Sequence, residues 1–220
     1  MAIGLNEPAP DFTATSTHGE IKLSDFEGKW IVLFSHPADF TPVCTTEMVE
    51  FARLQEAFRQ RDTQLIGLSV DSIYAHIAWI RNIEEKFGVP IQFPIIADMD
   101  TKVAQLYGMI HPGAESTATV RCVFFIDPKR VVRSMIYYPL TNGRNTDEVL
   151  RILEALQMHD AHNVATPANW RPGDPVIAKP PLTQEAAEKR VAEARESAAL
   201  DQKDWYFTRK NLPESVGKVR

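Results

Sequence analysis

The run Trp30-Ile31-Val32-Leu33-Phe34, five apolar residues in a row between Gly28 and Pro37, constrains the fold more than any other feature. Bounded by glycine and proline, it suits a strand buried on both faces. From Thr41 the period changes: Met48, Phe51, Leu54 and Phe58 recur at three- and four-residue steps, the pattern of an amphipathic helix. Upstream, FTATSTHGEIKL places two β-prone runs around a turn at His18-Gly19. Downstream the alternation continues. Residues 65–70 read as a strand. Asp71 or Ser72 caps a second helix with Ile73, Ile77, Ile80 and Phe87 on its inner face and Gly88 near its end. Residues 93–97 form a short strand and 101–107 a short helix closed by Gly108. Strands over 119–126 and 131–138 are joined by a turn at 127–130, and Thr146 caps a helix carrying Val149, Leu150, Leu153 and Leu156. This order predicts an α/β domain over residues 1–162, with a mixed central sheet flanked by helices.

The remainder, residues 163–220, reads as a small C-terminal extension. Five prolines fall between Pro167 and Pro181, which favours an extended arm. Thr183 then caps an Ala/Glu/Arg-rich helix, and Trp205-Tyr206-Phe207 follows as an aromatic cluster. So little apolar material makes no core by itself, so the extension is expected to dock on the main domain or on a second chain. A net charge of -5 argues against a broad grip on nucleic acid or an anionic membrane. No apolar run reaches the ~18–20 residues of a membrane helix, and MAIGLNEPAPDF lacks the features of a secretory signal. The two cysteines, Cys44 and Cys122, form no C-x-x-C pair, and the histidines show no ligand spacing beyond His159-x-x-His162. The expectation is a cytoplasmic protein without structural disulfides, metal or cofactor.

The chemistry concentrates in SHPADFTPVCTTE, residues 35–47, which joins the first buried strand to the first long helix. Thr41 followed by Pro42 fits an N-cap with proline at the first helical position. Cys44 then occupies the third position of the helix, where unpaired N–H groups and the helix dipole favour negative charge. That setting stabilises thiolate over thiol. Even a drop in thiol pKa from ~8.5 to ~6 raises the thiolate fraction only ~30-fold at neutral pH, so a catalyst also needs a group that stabilises charge on a leaving oxygen.

Pro37, Thr41 and Cys44 spell P-x-x-x-T-x-x-C, and the wider string resembles the one-cysteine branch of the peroxiredoxins. The likeness continues through ATVRCVFFIDP, YPLTNGRN and VATPANWRPGD. It implies a thioredoxin-like fold and a cofactor-free thiol peroxidase acting on hydrogen peroxide and organic hydroperoxides. Cys44 would be the nucleophile, passing through a sulfenic acid. Thr41 would hydrogen-bond the peroxide, Pro37 would shield the site from water, and Arg121 would set a guanidinium against sulfur and substrate. Glu47 either orients an arginine or is simply an acid favoured near a helix start. Arg144 matches the family's second arginine, with pairing to Glu47 or capping of a loop as its structural alternative. His36 matches a histidine that lies near the reactive sulfur in the branch, or has only a structural role.

If Arg121 faces the Cys44 pocket, strand alternation sends Cys122 to the opposite side of the sheet, as a core cysteine. No later cysteine exists, so the resemblance implies recycling by an external thiol of the thioredoxin or glutathione type. It also implies a homodimer, or a ring of dimers. Some animal members add a phospholipase serine; here Lys29 stands in its place and Ser24 replaces the accompanying histidine. An alternative function from the same cysteine is redox sensing or chaperone-like binding.

Overall fold

The computed structural model describes residues 3–111, 113, 118–196 and 201–212. The chain forms two compact units, Met1–Thr146 and Asp147–Arg220. In the first, a hairpin of β1 (Thr13–Ser16) and β2 (Gly19–Lys22) precedes β3 (Trp30–Ser35). Next come α1 (Pro42–Arg59), β4 (Thr63–Ser69), α2 (Ile73–Phe87), β5 (Ile95–Ala97) and α3 (Lys102–Leu106). A second hairpin, β6 (Arg121–Ile126) and β7 (Val132–Tyr138), completes a seven-stranded mixed sheet in the order β2-β1-β5-β4-β3-β6-β7. The expected α/β architecture is the observed one.

All six residues of β3 are buried, because β4 pairs parallel on one side and β6 antiparallel on the other. Alternation then divides its side chains. Ile31 and Leu33 join Ile66, Leu68, Cys122, Phe124 and Ile126 in one apolar cluster. Phe34 points the other way and stacks on Phe51 of α1, with ring centroids 4.1 Å apart. Truncating either ring would cost about 3–5 kcal/mol through lost burial and a residual cavity.

Helix α2 forms where expected. The Ser72 hydroxyl accepts from the Ala75 N–H, and Gly88 closes the helix at φ 69°, a left-handed cap that glycine adopts without strain. Its buried face matches the predicted one only in part. Ile73 and Ile80 are half-buried, but Ile77 and Phe87 are 46% and 50% exposed, while His76, Trp79 and Ile83 are buried. His76 turns inward to polar partners, which apolar periodicity does not register.

The second unit holds α4 (Thr146–His162), β8 (Val164–Ala165), β9 (Val176–Ala178), α5 (Gln184–Glu196), β10 (Asp201–Asp204) and β11 (Phe207–Lys210). Its four strands pair in the order β10-β11-β9-β8. The proline-rich arm is thus extended, but its ends are drawn together as strands. Met158 of α4 forms a small core with Val164, Trp170 and Val176, and Ala155 and Leu212 pack against it. Proline spacing excludes helix without revealing that the two ends of the arm pair. Thr183 caps α5 as expected, accepting from the Ala186 N–H. Among the described residues, no helix is long and apolar enough to cross a membrane.

Candidate active site

The reactive stretch leaves β3 at Ser35, turns through residues 36–41 and enters α1. Thr41 holds the cap position with extended backbone, and Pro42 takes the first helical place, where its missing N–H costs nothing. The Thr41 hydroxyl does not cap the helix. It donates to the Ala38 carbonyl at 2.9 Å, leaving its lone pairs free to accept. Cys44 falls in the first turn, fully buried, whereas Pro37 and Thr41 beside it in sequence are only half-buried.

Cys44 is buried but has polar company. Arg121, from the first position of β6, brings Nη1 to 3.3 Å from the Cys44 sulfur. Three further hydrogen bonds fix the guanidinium: Nη1 donates to Glu47 Oε2 at 2.7 Å, and Nε and Nη2 donate to the Leu140 carbonyl at 3.0 and 2.8 Å. Arg144 closes the other side of the same carboxylate. Its backbone N–H and Nε donate to Glu47 Oε1, and Nη2 donates to Oε2. Its Nη1 reaches the Cys122 carbonyl at 2.8 Å, and its guanidinium lies 5.4 Å from the Phe34 ring centroid.

Glu47 thus accepts hydrogen bonds from both arginines. Arg144 pairs with Glu47, and among the described residues no hydrogen bond joins it to a sulfur. Burial pushes the Glu47 carboxyl upward, but the hydrogen bonds and charge of Arg144, with the charge of Arg121, outweigh it and hold the group below its ordinary value.

Cys122 lies one residue beyond Arg121 and faces the opposite cluster, as alternation requires. Its sulfur is 3.0 Å from the Ser35 hydroxyl, and burial pushes its thiol up to about 11. Both cysteines are free thiols.

The comparisons with known proteins agree with this geometry. Residues 5–135 match the AhpC/TSA family, and residues 155–194 match the C-terminal domain of 1-Cys peroxiredoxin. The chain belongs to the AhpC/TSA family, as a peroxiredoxin of the one-cysteine branch. A peroxiredoxin of Aquifex aeolicus is 54% identical over 219 residues, covering 94% of this chain and 96% of that one. Among solved structures, a yeast mitochondrial 1-Cys peroxiredoxin gives a TM-score of 0.82 at 42% identity, covering 96% of this chain and all of that one. A mutant of peroxiredoxin 6 from Arenicola marina gives 0.83 at 37%, covering 97% and 100%. These matches make this peroxiredoxin a thioredoxin-fold thiol peroxidase.

His36 is drawn into a different group. Its Nε2 lies 2.8 Å from Asp39 Oδ1, and no hydrogen bond joins it to Cys44 among the described residues. The second Asp39 oxygen meets Nδ1 of His76 at 2.7 Å. Sequence reasoning missed Asp39 and His76. Their only signal was the H-P-A-D spacing beside the reactive loop, which carries no meaning until α2 delivers a second imidazole. The ligand-type atoms of His36, Asp39 and His76 lie within 4.8 Å of one another, so these are the described residues that could hold a metal ion. Contacts of 2.7 and 2.8 Å are those of shared hydrogens, however, and the peroxidase chemistry of this peroxiredoxin is carried by sulfur.

Proposed function

We propose that Cys44 is the sulfur this thiol peroxidase oxidises. The observation that carries the assignment is the Arg121 guanidinium at 3.3 Å from Cys44, locked there by Glu47 and Leu140. A fixed cation and the first turn of α1 both favour negative charge on that sulfur. The thiolate attacks one oxygen of ROOH. An S–O bond forms, the O–O bond breaks, and the leaving RO⁻ takes a proton to depart as ROH or water. Sulfur loses two electrons and becomes a sulfenic acid.

Arg121 would stabilise charge shared between sulfur and the departing oxygen. The Thr41 hydroxyl, whose hydrogen is engaged by Ala38, offers lone pairs to the O–H of the peroxide. Pro37 would keep water from the half-buried mouth of the site. Glu47 and Arg144 act at one remove, by holding Arg121 in register.

Because Cys122 is turned to the far side of the sheet, a thiol from outside would reduce the sulfenic acid. The first thiol forms a mixed disulfide and releases water; the second releases the oxidised pair and restores Cys44. The yeast relative described above is resolved through glutathione and thioredoxin systems, and we assign this chain a reductant of that kind in the cytoplasm. The second unit exposes Leu182, Trp205 and Tyr206, supporting its role as a C-terminal extension (residues 163–220) that contacts a second copy in a dimer or a ring of dimers.

The test is oxidation by excess hydrogen peroxide, mapped by mass spectrometry. Cys44→Ser should abolish turnover and Cys122→Ser should leave most of it. The reverse pattern overturns the assignment.

A further inference from the structure

The loop between β3 and α1 has an uncomfortable backbone. Phe40 sits at φ 55°, in the left-handed region that a bulky side chain avoids, and its ring is exposed. A conformation of that kind persists only where its surroundings over-determine it. Asp39, the preceding residue, is the point of attachment. Its backbone N–H donates to Asp71 Oδ2 at 3.0 Å, and its carboxylate lies between the imidazoles of His36 and His76. All three side chains of that fork are almost fully buried.

Hydrogen bonding dictates where the protons are. Nδ1 of His76 faces the Asp39 carboxylate at 2.7 Å, and Nε2 faces the Ile96 carbonyl at 3.1 Å. Both partners are acceptors, so His76 bridges the Asp39 carboxylate of the loop and the backbone of β5. His36 is different. Its Nε2 donates to Asp39, while its buried Nδ1 has no hydrogen-bond partner among the described residues. A bare lone pair is tolerable there, and an unpaired N–H⁺ is not. Burial, opposed by the hydrogen bond and charge of Asp39, pushes His36 below its ordinary value, in keeping with a neutral ring. Trp79 covers that ring at 5.1 Å between centroids.

We propose that His76 is a positioning residue for the peroxide reaction. Bridging Asp39 and the Ile96 carbonyl, it holds the Asp39 carboxylate against Nε2 of His36, and so anchors the loop that carries Pro37 and Thr41 into Cys44. This rests on Cys44 as the reacting sulfur, but its spectroscopic test does not.

The experiment is nitrogen-15 NMR of histidine rings in the reduced, full-length protein at neutral pH, with His36 and His76 assigned through ring-to-backbone connectivities. The expected spectrum shows hydrogens on Nδ1 of His76 and on Nε2 alone of His36. His36 protonated at Nδ1, or His76 without a hydrogen on Nδ1, overturns the proposal. In His76→Leu, the His36 ring signals should shift as Asp39 loses its second partner, and kcat/KM for peroxide should fall about tenfold or more through loop displacement. An unchanged His36 spectrum with unchanged kcat/KM in that variant also overturns it. If His76→Leu does not fold, the wild-type spectrum alone decides. Retained turnover in Cys44→Ser would instead sink the assignment of the nucleophile and leave the spectrum standing.

Discussion

The Cys44 sulfur and the Arg121 guanidinium, 77 positions apart in the chain, lie 3.3 Å from each other because β6 begins where α1 makes its first turn. Two elements with no local relationship thereby place a guanidinium against the Cys44 thiol, whereas the Cys122 sulfur meets the neutral Ser35 hydroxyl. The roles proposed for Cys44, Arg121, Glu47 and Arg144 follow from that distance.

Arg121→Ala should lower kcat/KM for hydrogen peroxide by about 10²–10³, the cost of removing one preorganised charge-stabilising donor. Arg121→Lys should recover little of it. A single ammonium cannot reach sulfur, Glu47 and the Leu140 carbonyl together. Stopped-flow rates with saturating reductant check this, and a lysine variant within about threefold of wild type would show that charge alone suffices.

Glu47→Gln should destabilise the first unit by ~3 kcal/mol at neutral pH, since it breaks a buried network and leaves two guanidiniums short of a counter-charge. The dependence on pH has a definite sign. The folded carboxyl ionises below its ordinary value of 4.5, so in acid the unfolded chain binds the extra proton. Its contribution is complete above about 4.5 and is lost as pH falls through the folded value. Urea unfolding across that range should give a flatter acid limb for Glu47→Gln than for wild type.

Native alkylation should separate the two thiols. Cys122, pushed up to about 11, is thiolate at neutral pH in about one molecule in ten thousand. Both sulfurs are buried, but among the described residues a guanidinium hydrogen-bonds only that of Cys44, so iodoacetamide should label Cys44 first. Equal labelling of the folded protein, read by mass spectrometry, would contradict the proposed division of labour.

Turnover distinguishes the enzyme from a sensor that merely registers oxidation at Cys44. With glutathione- or thioredoxin-type reductant present, peroxide consumption should continue far beyond one equivalent per chain. Arrest after a single stoichiometric oxidation with every such thiol would favour the sensor.

Much of the site was legible because its signals are local or periodic. Thr41-Pro42 announces a helix start, so Cys44 in the first turn follows by counting. The opposite orientation of Cys122 follows from strand alternation once Arg121 is aimed at Cys44. The His36–Asp39–His76 fork was not legible. Hydrophobic periodicity assigns the inner face of α2 to apolar residues, and it has no means of seeing that His76 meets a buried carboxylate from outside the helix. The small core around α4 was not legible for a related reason: it depends on Trp170 and on pairing of distant pieces of a proline-rich segment, neither of which has a repeat period.

The two sulfurs lie on opposite faces of one strand register, with the sheet between them. With Cys44 as the reacting sulfur, as proposed, the chain holds no thiol of its own that can end the episode. How long the oxidised form survives would then depend on the concentration and reach of visiting molecules.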